Sequence, residues 1–262
     1  MIDDPLQADL DRYYDYKDDK SVRYTHRIRV DHLRDMIRRL PASVGPAGRM
    51  KALDAGTGFG VYSILMAEAG YDVTAIDIND HEIQQARQWA AARGVLDRVE
   101  YKIGDLEKMS DEAEAFDLII CSEVLEHLEH PDIGARNLHR LLKPGGVAIV
   151  SMPNMACLLG VMQWSYRKSG IRALLGKPPL NLHQITHSRY WFGNILRILR
   201  NAGFRVEKVR STSHLPFIWH LDAFLTRTFG LASLCSRVDG LVRRVPGLNY
   251  LGFNLIVLLG KS

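Results

Sequence analysis

The stretch DAGTGFG, residues 54–60, decides the fold. The apolar segment before it, residues 50–54, predicts a short β-strand, and residues 61–69 after it predict a helix that ends at Gly70. Glycines at alternate positions allow a tight turn and let a ligand approach the backbone with no Cβ in the way. The following helix also presents free N–H groups at its start. The stretch therefore predicts a strand, a ligand-binding turn and a helix.

This alternation of strands and helices repeats along the chain. Further strands are predicted at residues 72–77, 99–103, 116–121 and 147–152, and helices at residues 81–93 and 133–142. Apolar strands that alternate with helices are typical of a parallel sheet with both faces covered. A helix at residues 191–201 and strands at residues 204–209 and 253–259 complete the α/β pattern.

Composition argues against several classes of protein. The 34 basic and 30 acidic residues give a net charge of +4, too small to indicate nucleic-acid binding without a concentrated patch. The amino terminus lacks the features of a secretory signal, and no apolar run approaches the ~20 residues that span a bilayer. Three widely separated cysteines favour reduced thiols over disulfides or a zinc site. We expect a cytoplasmic protein.

An acidic residue lies where a bound ribose would need it. Asp77 ends the second predicted strand, 17 residues after Gly60, and a carboxylate there accepts hydrogen bonds from two ribose hydroxyls. Capping the next helix is its alternative role, but Asn79 and Asp80 already supply caps. A dinucleotide-binding turn would share Asp77, but its pattern is Gly-x-Gly-x-x-Gly, whereas this turn is Gly-x-Gly-x-Gly after Asp54. An acid there suits the sulfonium and ammonium groups of S-adenosylmethionine better than a pyrophosphate.

Taken in order, these motifs resemble the class I S-adenosylmethionine-dependent methyltransferases over about residues 51–152, with a weaker likeness to the end. Residues 121–128, CSEVLEHL, resemble the quinone and natural-product O-methyltransferases within that class. The resemblance places the glycine turn and Ser122 against the methionine part of the cofactor, Asp77 at the ribose and Asp105 at the adenine. Asp105 has a loop cap as its alternative role. The implied cofactor-binding residues are Asp54, Gly56, Thr57, Gly58, Gly60, Asp77, Ile78, Asp105, Leu106 and Ser122.

The resemblance also implies the overall organisation. The fold is expected to be a Rossmann-like seven-stranded mixed sheet with helices on both faces and a reversed C-terminal β-hairpin. We expect a single methyltransferase domain over residues 1–262. Its parts are an N-terminal helical lid at 1–49, a cofactor-binding core at 50–152, and acceptor-side insertions at 153–190 and 211–248 that cap the active-site edge.

A histidine and a glutamate are the candidate catalytic residues. Methyl transfer to a hydroxyl requires alignment, exclusion of water and a base, and the unperturbed pKa of histidine, ~6.5, suits a base. His127 lies four residues after Glu123, so on a helix behind the fourth strand the two would share a face. We predict that His127 is the base or positions the acceptor, with Glu123 at the edge of the site; a structural cluster is the alternative. Glu123, Glu126, His127 and His130 could alternatively be metal ligands, but no second cluster in the sequence has supporting spacing, so we predict no metal site.

The flanking regions supply further candidates. In related enzymes the amino-terminal segment closes over the cofactor, which makes Tyr14 a candidate acceptor contact, together with His183 and His187 near the late helix. One arginine of the basic helix predicted at residues 20–40 would meet the methionine carboxylate, although an exposed basic face is the alternative. The candidates are Arg23, Arg27 and Arg29.

The ordered cofactor motifs and His127 favour O-methylation of a small or lipid-like hydroxyl acceptor. Apolar and aromatic residues in the two insertions could line the pocket for a lipophilic acceptor. Residues 211–248 could alternatively contact a membrane surface or form a packed cap. Other functions stay open: a non-catalytic S-adenosylmethionine-binding assembly protein, an N- or C-methyltransferase, or a NAD-linked enzyme that the glycine spacing disfavours. No nucleic-acid partner is expected, because a base-flipping motif and a basic groove are both missing from the sequence.

Overall fold

A computed structural model of the chain describes residues 23–40, 44–45, 48–110, 113–154, 192–212, 245, 252 and 254–261. The strands are β1 (Val44–Gly45), β2 (Gly48–Arg49), β3 (Lys51–Ala55), β4 (Asp72–Asp77), β5 (Val99–Ile103), β6 (Phe116–Ser122), β7 (Leu142–Pro153), β8 (Arg205–Thr212) and β9 (Asn254–Gly260). The α-helices are α1 (Arg23–Arg39), α2 (Val61–Glu68), α3 (Asp80–Ala92), α4 (Pro131–Leu141) and α5 (Phe192–Asn201). Short 3₁₀ turns occur at Leu96–Arg98, Leu106–Lys108 and Leu125–His127.

Seven of these strands form one mixed sheet in the order β5-β4-β3-β6-β7-β9-β8, while β1 and β2 form a separate ribbon. Strands β3 to β7 are parallel, and β9 runs antiparallel to both β7 and β8. The predicted mixed sheet and reversed C-terminal hairpin are therefore confirmed. From β3 the chain moves first toward β5 and then, with β6, in the opposite direction. Ligands of open α/β sheets bind outside the carboxyl ends of the strands at such a switch point.

Both faces of the sheet are covered, because successive side chains of each strand enter opposite halves of the core. Ala52 packs with the apolar residues of α1, α2 and α3, whereas Leu53 packs with those of α4 and α5. Leu118 and Ile119 alternate in the same way on β6. This two-sided burial explains why the strands are continuous apolar runs in the sequence.

Three details differ from the sequence-based expectations. β7 begins at Leu142 rather than at residue 147, since Leu142 already pairs with Phe116 before a register shift in β6. Pro153 ends β7, and residues 211–212 end β8, so these positions belong to the sheet. The remainder of both predicted insertions lies almost wholly outside the described residues. Among the described helices, none combines the length and apolarity that a membrane crossing needs.

Candidate active site

The glycine turn between β3 and α2 uses most of its own amide groups. The N–H groups of Gly56 and of the next residue donate to the Ile76 carbonyl at 2.9 and 2.8 Å, and the Gly60 amide donates within the turn. The Gly58 amide donates to Asp77 Oδ2 at 2.8 Å. Positive φ angles of 79°, 52° and 84° at Gly56, Gly58 and Gly60 make this bonding possible. We expected amides free for a ligand, but these are bonded within the protein.

Asp54 occupies the amino end of helix α2. Its carboxylate accepts a 2.7 Å hydrogen bond from Thr57 Oγ1. The side chain is 1% exposed, and this burial raises its pKa to about 7. The carboxylate therefore lies where a phosphate would otherwise bind a helix amino terminus. Asp54, predicted to contact the cofactor, lies beneath the turn rather than in the cavity wall.

A second acid strengthens this discrimination against phosphate. Glu82, in the first turn of α3, places Oε2 3.2 Å from the position that a Cβ on Gly58 would take. Two carboxylates, those of Asp77 and Glu82, thus face the turn from the side of β4. A pyrophosphate here would find bonded amides and nearby negative charge, so the geometry disfavours a dinucleotide.

A cavity of about 600 Å³ opens at the carboxyl ends of β3, β4, β5 and β6, within the size range of ligand pockets. The predicted site residues that line it are Gly56, Thr57, Gly58, Asp77, Ile78, Asp105, Leu106, Ser122, Glu123 and His127. Gly60 does not line it; a Cβ there would meet Ala86 and Tyr101, so this glycine permits close packing of the turn. A second cavity, of about 650 Å³ and reaching the amino ends of the strands, contains none of the predicted site residues.

The strand-end acids are held by backbone amides. Asp77 accepts from the Asn79 amide at 3.0 Å as well as from the turn, while Asn79 caps α3. Asp105 accepts from the Glu107 amide at 2.9 Å and pairs with Lys108 Nζ at 2.9 Å. The Lys108 and Glu107 hydrogen bonds hold the pKa of Asp105 below its ordinary value. Asp105 therefore caps its loop, the alternative considered from the sequence, and also lines the cavity.

The prediction that Glu123 and His127 lie on one helix is wrong. Glu123 has φ +59°, a left-handed conformation that ends β6 without starting a helix, and only the 3₁₀ turn Leu125–His127 follows. The i,i+4 spacing therefore does not place the two side chains on a shared helical face. Both nevertheless line the cavity, because the backbone reversal at Glu123 returns the chain across its rim.

Two cavity residues were not recognised in the sequence as a pair. His26 and Arg29 on α1 both line the cavity, with Arg29 only 9% exposed. Burial and the charge of Arg29 hold the pKa of His26 well below its ordinary value, so its neutral form is favoured. Arg29 was one of three arginine candidates. Because its neighbours on the helix are also basic, the sequence predicted a solvated helix face and did not indicate that Arg29 is buried.

The remaining predicted contacts fall outside the described residues. Tyr14, His183 and His187 lie there entirely, as do the side chains of Arg23 and Arg27, although these two arginines belong to α1. Within the described ranges, no group of three or more His, Cys, Asp or Glu side chains is placed to hold a metal ion.

Comparison with known proteins adds the decisive observation. Residues 24–209 match the family described as a methyltransferase domain, a span from α1 into β8 that includes every described cavity residue. This chain belongs to that family. It is an S-adenosylmethionine-dependent methyltransferase with a Rossmann-like fold.

Individual relatives agree with this assignment. The methyltransferase is 32% identical to the ubiquinone biosynthesis O-methyltransferase of Rickettsia felis over 195 residues, 73% of this chain and 75% of that protein. It is also 32% identical to the mitochondrial enzyme of that name from Mus musculus, over 81% of this chain and 58% of that protein. The structure of a putative methyltransferase from Bacillus halodurans superposes with a TM-score of 0.59 at 20% identity, covering 88% and 98% of the two chains.

The residues of the cavity fit S-adenosylmethionine. Gly56 and Gly58 line the cavity, so a ligand can approach their backbone, and the acids Asp77, Glu82 and Asp105 suit a cofactor with hydroxyls and positive charge. The amides that would favour a phosphate are already bonded.

Proposed function

We propose that this methyltransferase transfers a methyl group from S-adenosylmethionine to a hydroxyl oxygen of a small or lipophilic acceptor. The observation that carries the proposal is the position of His127 and Glu123 on the wall of the cavity that also contains Asp77, Asp105 and Ser122. Relatives named ubiquinone biosynthesis O-methyltransferases support a hydroxyl acceptor.

Cofactor binding is assigned to the strand ends and the turn. Asp77 would accept the ribose hydroxyls, Asp105 and Leu106 would contact the adenine beside Ile78, and Ser122 would lie against the methionine part. Ile78 is 75% exposed, which leaves an apolar face for a planar base. Asp54 acts indirectly, by fixing the turn through its hydrogen bond with Thr57.

The acceptor side of the cavity is assigned to His127 and Glu123. When bound, S-adenosylmethionine supplies an electrophilic methyl group. His127 takes the hydroxyl proton or orients the hydroxyl, and Glu123 lies beside it at the rim. Closure by residues 1–49 and by the insertions at 153–190 and 211–248 excludes water in this proposal.

The insertions also determine acceptor choice in this proposal, with Tyr14, His183 and His187 as candidate contacts. The apolar and aromatic composition of the insertions supports a lipophilic acceptor. We further propose a cytoplasmic location, with peripheral membrane contact through residues 211–248.

Cofactor binding is tested by calorimetry with S-adenosylhomocysteine. We expect one site per chain and a loss of affinity in Asp77→Ala, because the variant lacks the carboxylate that accepts the ribose hydroxyls. Asp97→Ala, at an exposed acid away from the cavity, is the control and should bind normally. Undiminished binding by Asp77→Ala would contradict the ribose assignment.

Methyl transfer is tested with a panel of phenols, catechols, quinols and amines, scored by release of S-adenosylhomocysteine. We expect His127→Gln to lower kcat by about 10²-fold or more while cofactor affinity is retained. His130→Gln is the matched control, because His130 is an exposed neighbour that does not line the cavity. Equal activity of the two variants would remove His127 from the mechanism, and methylation only of amines would contradict the hydroxyl assignment.

A further inference from the structure

Arg29, which lines the cavity, makes two side-chain contacts. Its Nη1 lies 3.0 Å from Glu123 Oε2, and its Nε donates to Tyr62 Oη at 3.4 Å. Burial acts to lower the pKa of Arg29, but Glu123 and Tyr62 raise it above its ordinary value, so the guanidinium stays charged. A buried cation thus bridges the end of β6 and the first turn of α2.

The contacts continue from Glu123 back to Tyr62. Ser151 Oγ donates to Glu123 Oε1 at 3.2 Å and lies 2.8 Å from Ser122 Oγ, which is 3.4 Å from Tyr62 Oη. The result is a closed ring of five side chains: Arg29, Glu123, Ser151, Ser122 and Tyr62. We call it the Arg29 ring. It joins α1, α2, β6 and β7 at the cavity.

Both partners of the guanidinium also accept a hydrogen bond from a serine. Ser151 donates to Glu123, and Ser122 donates to Tyr62, whose oxygen accepts from Arg29 as well. Because each hydroxyl has one hydrogen to donate, the 2.8 Å contact between Ser122 and Ser151 is a hydrogen bond only when one of the two serines turns its hydrogen toward the other. The contacts of the ring thus converge on Glu123 and Tyr62.

The ring contains the strained residue of the site. A left-handed conformation costs a non-glycine residue about 1–3 kcal/mol and persists only where the surroundings over-determine it. Glu123 adopts it at φ +59°, held through both carboxylate oxygens. Removing Arg29 would leave this carboxylate beside the buried Glu126 without its cation.

We propose that Arg29 is a positioning residue that acts through Glu123 and Tyr62 to fix the end of β6, where the cofactor and acceptor lie. The inference rests on the proposed placement of the cofactor against Ser122. It differs from direct binding of the methionine carboxylate, because here the guanidinium is directed at Glu123 and Tyr62 in the protein itself. Docking of α1 thereby becomes a condition for a correctly shaped site.

A double-mutant cycle tests the inference by calorimetry with S-adenosylhomocysteine. We expect Arg29→Gln to weaken binding several-fold or more, because Glu123 loses the cation that holds it at the end of β6. Because Arg29 acts through Glu123, the double variant Arg29→Gln/Glu123→Gln should bind as Glu123→Gln alone does. Additive losses would overturn the inference and would indicate direct contact between Arg29 and the ligand.

Conservative variants keep the test independent of folding. Arg29→Lys retains the charge but not the two-point geometry, so its affinity should lie between wild type and Arg29→Gln; equality with Arg29→Gln would contradict the proposal. Tyr62→Phe removes one hydroxyl and should weaken binding several-fold, and no change would refute the ring. Arg34→Gln, which breaks an ion pair with Asp31 on the same helix away from the cavity, should bind normally. If wild type fails to bind, the cofactor assignment itself has failed.

Discussion

Replacing Asp54 with asparagine should make the stability of the methyltransferase less sensitive to pH. Burial is the largest influence on this carboxyl and raises its pKa from 3.8 to about 7, against the opposing hydrogen bond from Thr57. Because the folded-state pKa lies above the unfolded value, the folded protein binds more protons. The free energy of unfolding therefore falls as pH rises from about 4 to about 7 and then stays low.

The magnitude follows from the shift. At about 1.4 kcal/mol per pKa unit, ionising Asp54 within the fold costs about 4 kcal/mol. The part of this cost that appears between about pH 5 and about pH 8 is about 3 kcal/mol. Asparagine does not ionise, and its amide oxygen still accepts from Thr57. The variant should therefore gain about 3 kcal/mol relative to wild type over that interval.

Urea denaturation of ligand-free protein at the two pH values measures this difference. The comparison uses the change with pH, so any pH-independent cost of the substitution cancels. Asp97→Asn, at an exposed carboxyl, is the control and should follow wild type. If Asp54→Asn and wild type have the same pH dependence, the buried-charge reasoning is refuted.

The glycine turn and its acidic neighbour give two further predictions. Gly56→Ala should abolish cofactor binding in calorimetry, because its Cβ would overlap the Val124 side chain at a φ of +79°. The control, Gly94→Ala, has φ +67° and open space around it, so it should cost only about 1 kcal/mol of stability and bind the cofactor normally. Equal binding by the two variants would contradict the steric argument. Glu82→Gln should weaken S-adenosylmethionine by about two- to fivefold but S-adenosylhomocysteine less, because only the former carries a sulfonium, and high salt should reduce the difference. Equal losses of affinity for both ligands would show that the charge of Glu82 does not act on the sulfonium.

The sheet and the strand-end residues could be predicted because their signals are local. Apolar runs, glycine stops and the acid that ends β4 each depend on a few neighbouring residues, and they located the strands and Asp77. The family resemblance added Asp105 and Ser122, which line the same cavity. The reversed hairpin came instead from the family resemblance, since antiparallel insertion of β9 has no local signal.

What could not be predicted depends on contacts distant in sequence. Arg29 is buried because Glu123 and Tyr62 neutralise and bond it, yet in the sequence it is one of many basic residues on an amphipathic helix. Glu123 ends β6 in a left-handed conformation that the helical spacing of CSEVLEHL conceals. Asp54 appeared to face the cofactor, but packing of α2 encloses it beneath the turn.

The central position of β9 has a consequence for how the protein is made. β9 lies between β7 and β8, although it is the last strand of the sheet to be synthesised. Until residues 254–260 have emerged from the ribosome, β7 presents an open edge and the apolar surface that β9 covers is exposed. A nascent chain that pauses before β9 thus already contains every strand around the cofactor turn. It also exposes an unpaired strand edge, and such edges promote aggregation.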